Sequence, residues 1–383
     1  MLKAPGWLGL HALESQHLHI HMDKCRALGR PLEVAIAVGA PPAAGACAAA
    51  KIPYGVDEMA VAGALAGEPL EMAHCETVDL DVPAASEIVI EGVVDPDRLE
   101  AEGPHGESRG YMFERCWAYA FAPTCISHRR NPIVQVFLSQ YPPSESSLIR
   151  RVSNEAMALG LLRNQLGVRC VRDVAFPESV GAYDICVVRL ASPKRDEVWR
   201  ALYGIAALLR LGKIAIAVDE DIDPHDADSV YFALATRMQP HRDVQIIQGK
   251  TVAAEMVAGP TWADLPTPRL SSGMLIDATM KWPLPPTALP GKDYMEKALE
   301  LWNELGLPPL APRRPWFGSP LGFWSTEHDA EARQAAEGRY FEIGEKLRRM
   351  TARHGEVGDN STVEAPPEGA LKGYPWRNPW DTT

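Results

Sequence analysis

Apolar and polar residues follow two successive patterns along the chain, and the change falls near residue 144. Before it, short apolar runs separated by Pro, Gly and Asp predict strands at 32–38, 70–76, 87–94, 111–122 and 132–139. Two segments with helical spacing lie among them, 14–28, which stops at Gly29, and 57–65, which is followed by Gly67. Strands in such close succession predict a barrel or a strongly curved antiparallel sheet.

Beyond residue 144, apolar segments of strand length alternate with segments of helix length. Strands are predicted at 168–176, 184–190, 214–219 and 244–247, and helices at 145–166, 194–211 and 226–237. Ser144 is the expected N-cap of the first of these helices, and Gly167 is its expected end. The alternation predicts an α/β layer. After Trp282 we expect a helix at 294–305, a charged helix at 327–351 and a disordered polar end.

The composition narrows the class of protein. The 383 residues suffice for two domains, and 46% hydrophobic and 23% charged residues are ordinary for a soluble globular protein. A formal net charge of -12 opposes general binding of nucleic acid or of a membrane surface, because both are anionic. Seven cysteines without a C-x-x-C pair are typical of reduced thiols. Since no apolar run has transmembrane length and no signal pattern is present, we expect a cytoplasmic protein without a membrane span.

Two glutamates, Glu102 and Glu107, flank the linker GPHG at 103–106. Its proline and glycines permit a turn that neither a regular helix nor a strand allows, so that both carboxylates can meet at one site. A shared site separates the pKa values of two carboxylates, which leaves one as an acid and the other as a base. Taken alone, the segment is more typical of a Gly-Pro turn between solvated glutamates.

A series of short strings surrounds this segment in a fixed order. They are AAAKIPYGVDE at 48–58, AGALAGEP at 62–69, CETVDLDVP at 75–83, EIVIEG at 87–92 and GYM at 110–112. In this order and at these spacings they resemble the UbiD family of reversible, non-oxidative decarboxylases. The resemblance is strong from about residue 14 to 143 and continues through VDEDIDP at 218–224, ATR at 235–237 and LIDAT at 275–279.

The resemblance implies a fold of mixed α+β and α/β class. A flavin-reductase-like split β-barrel that binds the cofactor, incomplete at its N-terminus, is expected at 1–140, an α/β domain at 141–290 and a helical, Pro-rich tail at 291–383. It also implies prenylated FMN, Mn2+ and K+ as cofactors, a flavin prenyltransferase that supplies the flavin, and a homo-oligomer. The substrate implied is a small aromatic, heteroaromatic or α,β-unsaturated carboxylic acid.

Metal and cofactor residues are assigned by the same resemblance. Gln16 and His17 match the family's Gln-His pair, in which the histidine binds the metal and the glutamine lines the site. Glu58 matches the carboxylate ligand, and imidazole with carboxylate suits manganese. The residues alone leave alternatives open. His17 and His21 at i, i+4 also fit a polar helix face or a zinc pair, and Asp57 fits an acidic helix start as well as Glu58 does.

Glu102 and Glu107 match the two glutamates that the family places over the flavin. The resemblance assigns Glu107 as the proton donor to the decarboxylated carbon and Glu102 to an ionic network that holds the charge state of the site. His105 occupies a position where the family usually has a bulky aromatic residue. We expect the other acidic residues between 68 and 107 to be solvated. The VDEDIDP string lacks features of a Ca2+ loop and is expected to end a strand and cap the following helix.

Two departures from the family pattern bear on activity. The first fifteen residues include neither the arginine expected beside Glu102 nor the asparagine expected as a third metal ligand. Gly273 replaces a lysine that is expected to hold the cofactor phosphate. We therefore expect the chain alone to be weakly active or inactive. Three hypotheses remain open, namely a decarboxylase, a truncated or split subunit that needs a partner chain, and a non-catalytic oligomerisation subunit.

Overall fold

The computed structural model describes residues 2–4, 6–10, 16–50, 52–106, 108, 110–113, 115–208, 211–251, 270–281, 290, 292–310 and 326–353. The first half of this described chain consists mainly of strands, with short helices between them. Its elements in chain order are β1 (Leu2–Ala4), β2 (Trp7–Leu10), α1 (His17–Ala27), β3 (Leu32–Val38), α2 (Pro42–Ala49), α3 (Glu58–Ala66), β4 (Met72–His74), β5 (Asp81–Pro83), β6 (Ile88–Glu102), β7 (His105–Gly106), β8 (Met112–Phe113) and β9 (Cys116–His128).

The strands of the first half form one large antiparallel sheet and two small ones. The large sheet has the order β1-β2-β9-β6-β3, while β4 pairs with β5 and β7 pairs with β8. β6 and β9 are its longest strands, and two irregularities in their register bend the pair. At Gly92 the two strands approach so closely that a Cβ would lie 2.2 Å from the carbonyl oxygen of Ala122.

Helix α1 packs on this sheet. Met22 of α1 is fully buried and packs with Val94, Tyr119 and Phe121 of β6 and β9. The helix ends as the sequence predicts, because Gly29 follows it with a φ of +64° that glycine tolerates better than other residues. This packing fixes the direction in which the start of α1 points.

A buried carboxylate holds the loop that follows β4. Glu91 in β6 is 1% exposed and accepts hydrogen bonds from the backbone N–H of Glu76 at 3.0 Å and from the backbone N–H and hydroxyl of Thr77 at 2.6 and 2.8 Å. Burial alone would raise the pKa of Glu91, but these hydrogen bonds outweigh burial and lower the pKa. The strings CETVDLDVP and EIVIEG therefore belong to one structural unit. The expectation that acidic residues here are solvated is wrong for Glu91.

The second half alternates strands and helices, as the sequence pattern predicts. Ser144 caps the first helix by accepting a hydrogen bond from the backbone N–H of Ser147, and Gly167 with a φ of +67° follows its last turn. The elements in chain order are α4 (Glu145–Gly160), which continues into a π-helical turn (Leu161–Gln165), β10 (Val171–Ala175), a short 3-10 helix (Glu178–Val180), β11 (Ile185–Leu190), α5 (Arg195–Ala207), β12 (Ile214–Asp219), α6 (Ala227–Arg237), α7 (Pro240–Asp243), β13 (Val244–Thr251) and β14 (Leu270–Asp277).

These strands form a mixed sheet with helices on both faces. Its order is β10-β11-β12-β14-β13, in which β11, β12 and β14 are parallel and the edge strands β10 and β13 are antiparallel. Alternate residues of β11 face two different cores. Val188 packs in a cluster with residues of α4 and α5, whereas Val187 packs in a cluster with residues of α6. The described chain therefore has the predicted mixed fold class, a strand-rich half followed by an α/β half.

The two halves contact each other through α2 and α4. The hydroxyl of Ser153 in α4 donates a hydrogen bond to the carbonyl oxygen of Ala46 in α2, at 3.3 Å. The predicted domain boundaries at 140 and 290 stay predictions. Three further helices follow the second sheet, α8 (Lys292–Glu304), α9 (Thr326–Ala336) and α10 (Tyr340–Leu347). No helix among the described residues is long and apolar enough to cross a membrane.

Two of the predicted elements differ from the structure, and one helix was not predicted. The predicted strand at 132–139 is wrong, because these residues form no strand and pair with no described strand. The predicted helix at 327–351 is wrong, because Gly338 with a φ of +83° separates α9 from α10. Helix α2 was not predicted, since its alanine-rich sequence has no amphipathic period. The predicted disordered end lies outside the described residues.

We expect Glu91→Gln to lower the free energy of unfolding by about 1–3 kcal/mol, because an amide NH2 group replaces one acceptor of the buried N–H groups. The folded chain lowers the pKa of Glu91, so its carboxylate contributes stability above the pKa of the unfolded state. That contribution is lost as the pH falls through the pKa that Glu91 has in the folded protein. The difference between variant and wild type should therefore be largest at neutral pH and shrink in acid, as measured by urea unfolding at several pH values.

Glu76→Gln is the matched control. Glu76 donates only its backbone N–H to Glu91, and its own side chain is exposed, so this substitution should leave the urea midpoint nearly unchanged. Equal midpoints for Glu91→Gln and the wild type at neutral pH would contradict the role given to Glu91.

Candidate active site

Two helix starts bring His17 and Glu58 together. α1 begins at His17, directly after Gln16, whose extended backbone (φ -97°, ψ 149°) forms the N-cap. α3 begins at Glu58, after Asp57, whose side chain caps the helix by accepting a hydrogen bond from the backbone N–H of Met59 at 2.9 Å. Because Asp57 serves as the cap, Glu58 is the carboxylate that faces α1. Its Oε1 lies 3.6 Å from Nδ1 of His17.

Tyr54 lies beside this pair, although no feature of the AAAKIPYGVDE string distinguishes it from its neighbours in sequence. Its ring contacts the imidazole of His17 edge-on, with 5.3 Å between centroids, and lies 5.9 Å from that of His21. Its hydroxyl accepts a hydrogen bond from Nζ of Lys24 at 2.5 Å. Tyr54 therefore packs on the face that His17 and His21 share, while Glu58 is the acidic group nearest to His17 among the described ion pairs.

An imidazole and a carboxylate at this separation fit a shared divalent cation. Metal–ligand bonds of about 2.0–2.2 Å place neighbouring ligand atoms about 3 Å apart. Nδ1 of His17 and Oε1 of Glu58 are 3.6 Å apart, so small side-chain rotations suffice for both atoms to bind one cation. The two side chains are 38% and 42% exposed, which leaves room for further ligands. No group of three or more His, Cys, Asp or Glu side chains suited to a metal occurs in the described part of the chain. This part therefore offers two candidate ligands, His17 and Glu58, and their role as ligands stays a prediction.

Glu102 is the last residue of β6 and is only 6% exposed. It lies opposite Cys116 of β9, and its carboxylate rests on the backbone of β2, where a Cβ at Gly9 would lie 2.5 Å from Oε2. The carboxylate thus occupies the space that a side chain at position 9 would take. Glutamates are rarely so buried unless they are paired, and the place of Glu102 in an ionic network stays a prediction.

The loop after Glu102 turns away from β6 at Gly103, whose φ of +96° favours glycine. Glu107 lies outside the described residues, so the meeting of the two carboxylates stays a prediction. The chain that links the two halves packs on this loop. A Cβ at Gly106 would lie 2.5 Å from Cδ of Gln140, and a Cβ at Gly110 would lie 2.6 Å from Cδ2 of Tyr141.

A cleft of about 700 Å³ opens beside the same linking segment. Gln140 and Tyr141, which contact the glutamate loop, also form part of its wall. Other residues that line the cleft come from the linking segment, the start of α4 and the short 3-10 helix, and they include Leu138, Glu145, Leu148 and Glu178. The cleft therefore adjoins the predicted catalytic loop but is lined by the linking segment and by the second half.

The three strings of the second half meet in a buried ion network. Arg237, 2% exposed at the end of α6, donates hydrogen bonds to Asp219 at 2.8 Å and to both oxygens of Asp221 at 2.8 and 2.5 Å. Asp219 ends β12, as predicted. The prediction that this string caps the following helix is wrong, because Asp226 is the N-cap of α6 and Arg237 lies in its last turn. The loop carboxylates thus bind the end of α6.

The LIDAT string joins the same network through Asp277. This residue accepts hydrogen bonds from the hydroxyl of Thr279 at 2.6 Å and pairs with Nζ of Lys281 at 2.9 Å. The backbone N–H of Met280 donates to Asp219 at 2.8 Å and so connects the two strings. Burial raises the pKa of Asp219 to about 6, Arg237 opposes this rise, and Asp221 adds to it. Asp219 and Asp221 both pair with Arg237, and Asp277 pairs with Lys281. Because each carboxylate has a cationic partner, we assign a structural role to this network.

Comparison with known proteins identifies the family. Residues 1–142 match the family model described as the 3-octaprenyl-4-hydroxybenzoate carboxy-lyase Rift-related domain, and residues 147–278 match its C-terminal domain. An uncharacterized protein of Archaeoglobus fulgidus is 31% identical over 308 residues, which cover 78% of this chain and 62% of that protein. The chain thus spans less than two thirds of the length of this relative.

Solved structures agree with this result. The UbiD-class enzyme HmfF of Pelotomaculum thermopropionicum, in complex with FMN, is 32% identical with a TM-score of 0.64, over 77% of this chain and 62% of that chain. An evolved dimeric form of the same enzyme with prenylated FMN gives a TM-score of 0.65 over 77% and 63%. Vanillic acid decarboxylase of Sedimentibacter hydroxybenzoicus in its closed form is 26% identical, with a TM-score of 0.67 over 78% and 64%. With both family models matched in order, this chain belongs to the UbiD family.

Proposed function

We propose that this protein takes part in the reversible, non-oxidative decarboxylation of a small aromatic, heteroaromatic or α,β-unsaturated carboxylic acid. The observation that carries the proposal is the His17–Glu58 pair, with 3.6 Å between Nδ1 and Oε1, in the half of the chain that also buries Glu102. Membership in the UbiD family supports the reaction class. The solved relatives support the substrate class, since one of them is a vanillic acid decarboxylase.

The cofactors that we propose are prenylated FMN, Mn2+ and K+, and the residues of the pair suit the divalent cation. A relative is described in complex with FMN and its evolved form with prenylated FMN. His17 and Glu58 would hold the divalent cation, and Gln16, which precedes His17 at the N-cap, would line the cofactor site. A cation at the starts of α1 and α3 is opposed by both helix dipoles, so the negative charge of Glu58 is needed to hold it there. Prenylated flavin, when bound, supplies the electron sink for the loss of CO2.

The protein's own contribution is to hold charge and to move a proton. Glu102 is fixed by burial and by its contact with Gly9, so its carboxylate has little freedom to turn away from the site. We assign to it the positioning role in an ionic network and to Glu107 the donation of a proton to the carbon that has lost CO2. The turn at Gly103 allows the chain to reverse between the two glutamates.

The remaining parts of the proposal concern partners and organisation. A flavin prenyltransferase would supply the cofactor, and the protein would act in the cytoplasm as a homo-oligomer. The cofactor-binding half would end near residue 140, and the α/β half near residue 290. The presence of a sheet on each side of residue 140 supports this division.

Reconstitution tests the proposed function as a whole. The chain is co-expressed with a flavin prenyltransferase, and the purified protein is assayed by absorbance and by a decarboxylation screen with cinnamate-, hydroxybenzoate- and heteroaromatic-type acids. As the sequence predicts, we expect weak or no release of CO2 from the chain alone, whereas stoichiometric flavin and robust turnover would show that another residue replaces the expected arginine. A protein that binds neither flavin nor Mn2+ under these conditions, and also when mixed with extract of its source organism, would contradict the proposal.

We expect His17→Ala and Glu58→Ala each to remove most of the affinity for Mn2+, because each deletes one of two ligands from the described part of the site. Elemental analysis and Mn2+ titration measure the loss. His21→Ala is the matched control, since His21 lies one turn further along α1 and contacts Tyr54. Equal loss of Mn2+ in His21→Ala and in His17→Ala would favour a histidine pair over the His17–Glu58 site.

We expect Glu107→Gln to abolish hydrogen–deuterium exchange at the reacting carbon while the cofactor stays bound, because an amide cannot donate the required proton. Exchange is followed by NMR of the product in D2O with the active preparation. Glu100→Gln serves as the comparison, since Glu100 lies on β6 before the loop and pairs with Arg98. Exchange at the wild-type rate in Glu107→Gln would refute the assigned role.

We expect Gly9→Ala to lower turnover with little effect on stability. The three atoms nearest to the new Cβ, at 2.5–2.9 Å, all belong to the carboxylate group of Glu102, so this group must shift while the backbone of β6 can stay in place. Misplacing a catalytic group by about 1 Å lowers the reaction rate about 100-fold. Gly45→Ala is the control, because a Cβ there meets no atom within 4 Å. Full turnover in Gly9→Ala would show that the position of Glu102 is not critical.

A further inference from the structure

The small hairpin formed by β7 and β8 follows Glu102 and has little support of its own. Each strand has 2 residues, Gly106 lies opposite Met112, and no other described strand pairs with either strand. A two-stranded hairpin is at best marginally stable alone in water. The conformation of this hairpin therefore depends on side chains that pack on it from other parts of the chain.

Two consecutive residues of the linking segment provide such contacts. The carboxamide of Gln140 lies on Gly106, since its three heavy atoms would be 2.5–2.8 Å from a Cβ at that position. The ring of Tyr141 lies by one edge on Gly110, with Cδ2 and Cε2 at 2.6 and 3.1 Å from a Cβ there. Gly110 also has a φ of +88°, whereas the φ of Gly106 is not positive. The close approach of Gln140 is therefore what disfavours a Cβ at Gly106.

Gln140 and Tyr141 project from a segment that is fixed to the start of α4. The hydroxyl of Ser146 is hydrogen-bonded to those of Ser139 and Ser144, the latter at 3.2 Å, and Ser144 caps the helix. Helix α4 in turn packs in the core of the second half through Ala158. The second half of the chain thus supports a hairpin that belongs to the first half.

We propose that Gln140 and Tyr141 are positioning residues that hold the β7–β8 hairpin against the second half of the chain. The inference rests on the proposed function, in which Glu107, the residue after Gly106 in the sequence, donates the proton. Gly106 and Gly110 lie on either side of this residue in the sequence, so the two contacts restrict the chain before and after it. Misplacing a catalytic group by about 1 Å lowers the reaction rate about 100-fold, and these contacts oppose such a displacement.

The contacts act through the shape of the side chains. Gln140 makes no side-chain hydrogen bond to any residue that the structure describes, so its volume over Gly106 is what matters. Methionine has a similar length without the amide group, and phenylalanine keeps the ring of Tyr141. Gln140→Met and Tyr141→Phe should therefore preserve the contacts, whereas Gln140→Ala and Tyr141→Ala should remove them.

Hydrogen exchange of the full chain, followed by mass spectrometry, tests the contacts without an assay of turnover. We expect the backbone amides of residues 103–113 to exchange about tenfold faster in Gln140→Ala, because the hairpin then opens more often. Gln140→Met should exchange at the wild-type rate. Gln135→Ala is the matched control, since Gln135 is an exposed glutamine of the same segment. Equal exchange in Gln140→Ala and the wild type overturns the proposal.

An exchange of side-chain size shows whether Gln140 acts through Gly106. Gly106→Ala places a Cβ where the carboxamide lies, and Gln140→Ala removes the carboxamide. Each change alone should speed the exchange of the hairpin amides, and the double variant should recover slow exchange in part. Gly45→Ala is the control, because a Cβ there meets no atom within 4 Å. Additive effects of the two substitutions would show that the residues are not coupled and would overturn the proposal.

Kinetics with the active preparation distinguish positioning from folding. We expect kcat to fall about tenfold or more in Gln140→Ala with KM nearly unchanged, because the proton donor acts in the transition state. Gln140→Met should keep kcat, and equal thermal midpoints show that both variants are folded. Wild-type kcat in Gln140→Ala, despite faster exchange, overturns the positioning role. If no preparation of the wild-type chain turns over, the proposed function fails, and the exchange rates still decide whether the contacts hold the hairpin.

Discussion

Strands β6 and β9 pair over almost their whole lengths, and the position of the candidate site depends on this pairing. β6 carries Glu91 near its start and Glu102 at its end. β9 pairs on its other side with β2, which provides Gly9 beneath the carboxylate of Glu102. The same two strands form the surface on which α1 packs. A shift in the register of β6 by one residue would turn Glu91 and Glu102 to the opposite face. The register of one strand pair thus sets the burial of both carboxylates.

The metal pair depends on a second constraint, the places at which α1 and α3 begin. A side chain in the first turn of a helix is held by the capping geometry of the residues before it. Asp57 fixes the start of α3, and the packing of Met22 fixes the direction of α1. His17 and Glu58 therefore lie close together, although they are 41 positions apart in the sequence. Tyr54 fills the space beside them. The site is therefore built from residues that also shape the local fold.

The sequence predicted much of the fold because turn and cap residues mark the ends of its elements. Strands β3 and β12 were predicted with their observed bounds, and Gly29 and Gly67 end the helices that precede them. Contacts between separate sequence strings could not be predicted from the local pattern of apolar and polar residues. The hydrogen bonds of Glu91 to Thr77, and of Arg237 to Asp221, each join a residue of a predicted strand or helix to a loop residue that its local pattern does not identify as a partner. Residues 132–139 were wrongly predicted as a strand, because periodicity reports exposure and burial and not the presence of a neighbouring strand. Among the candidate site residues, the pairing of His17 with Glu58 follows the family resemblance, and Glu107 lies outside the described residues.

Anomalous X-ray diffraction at the manganese absorption edge tests the account's central claim most directly. Crystals of the protein co-expressed with a flavin prenyltransferase and grown with Mn2+ would locate the metal independently of any assay of turnover. The account predicts one strong peak between Nδ1 of His17 and Oε1 of Glu58, the atoms that lie 3.6 Å apart, with flavin density beside Gln16. Flavin bound with the manganese peak elsewhere, for example at Asp219 and Asp221, would contradict it.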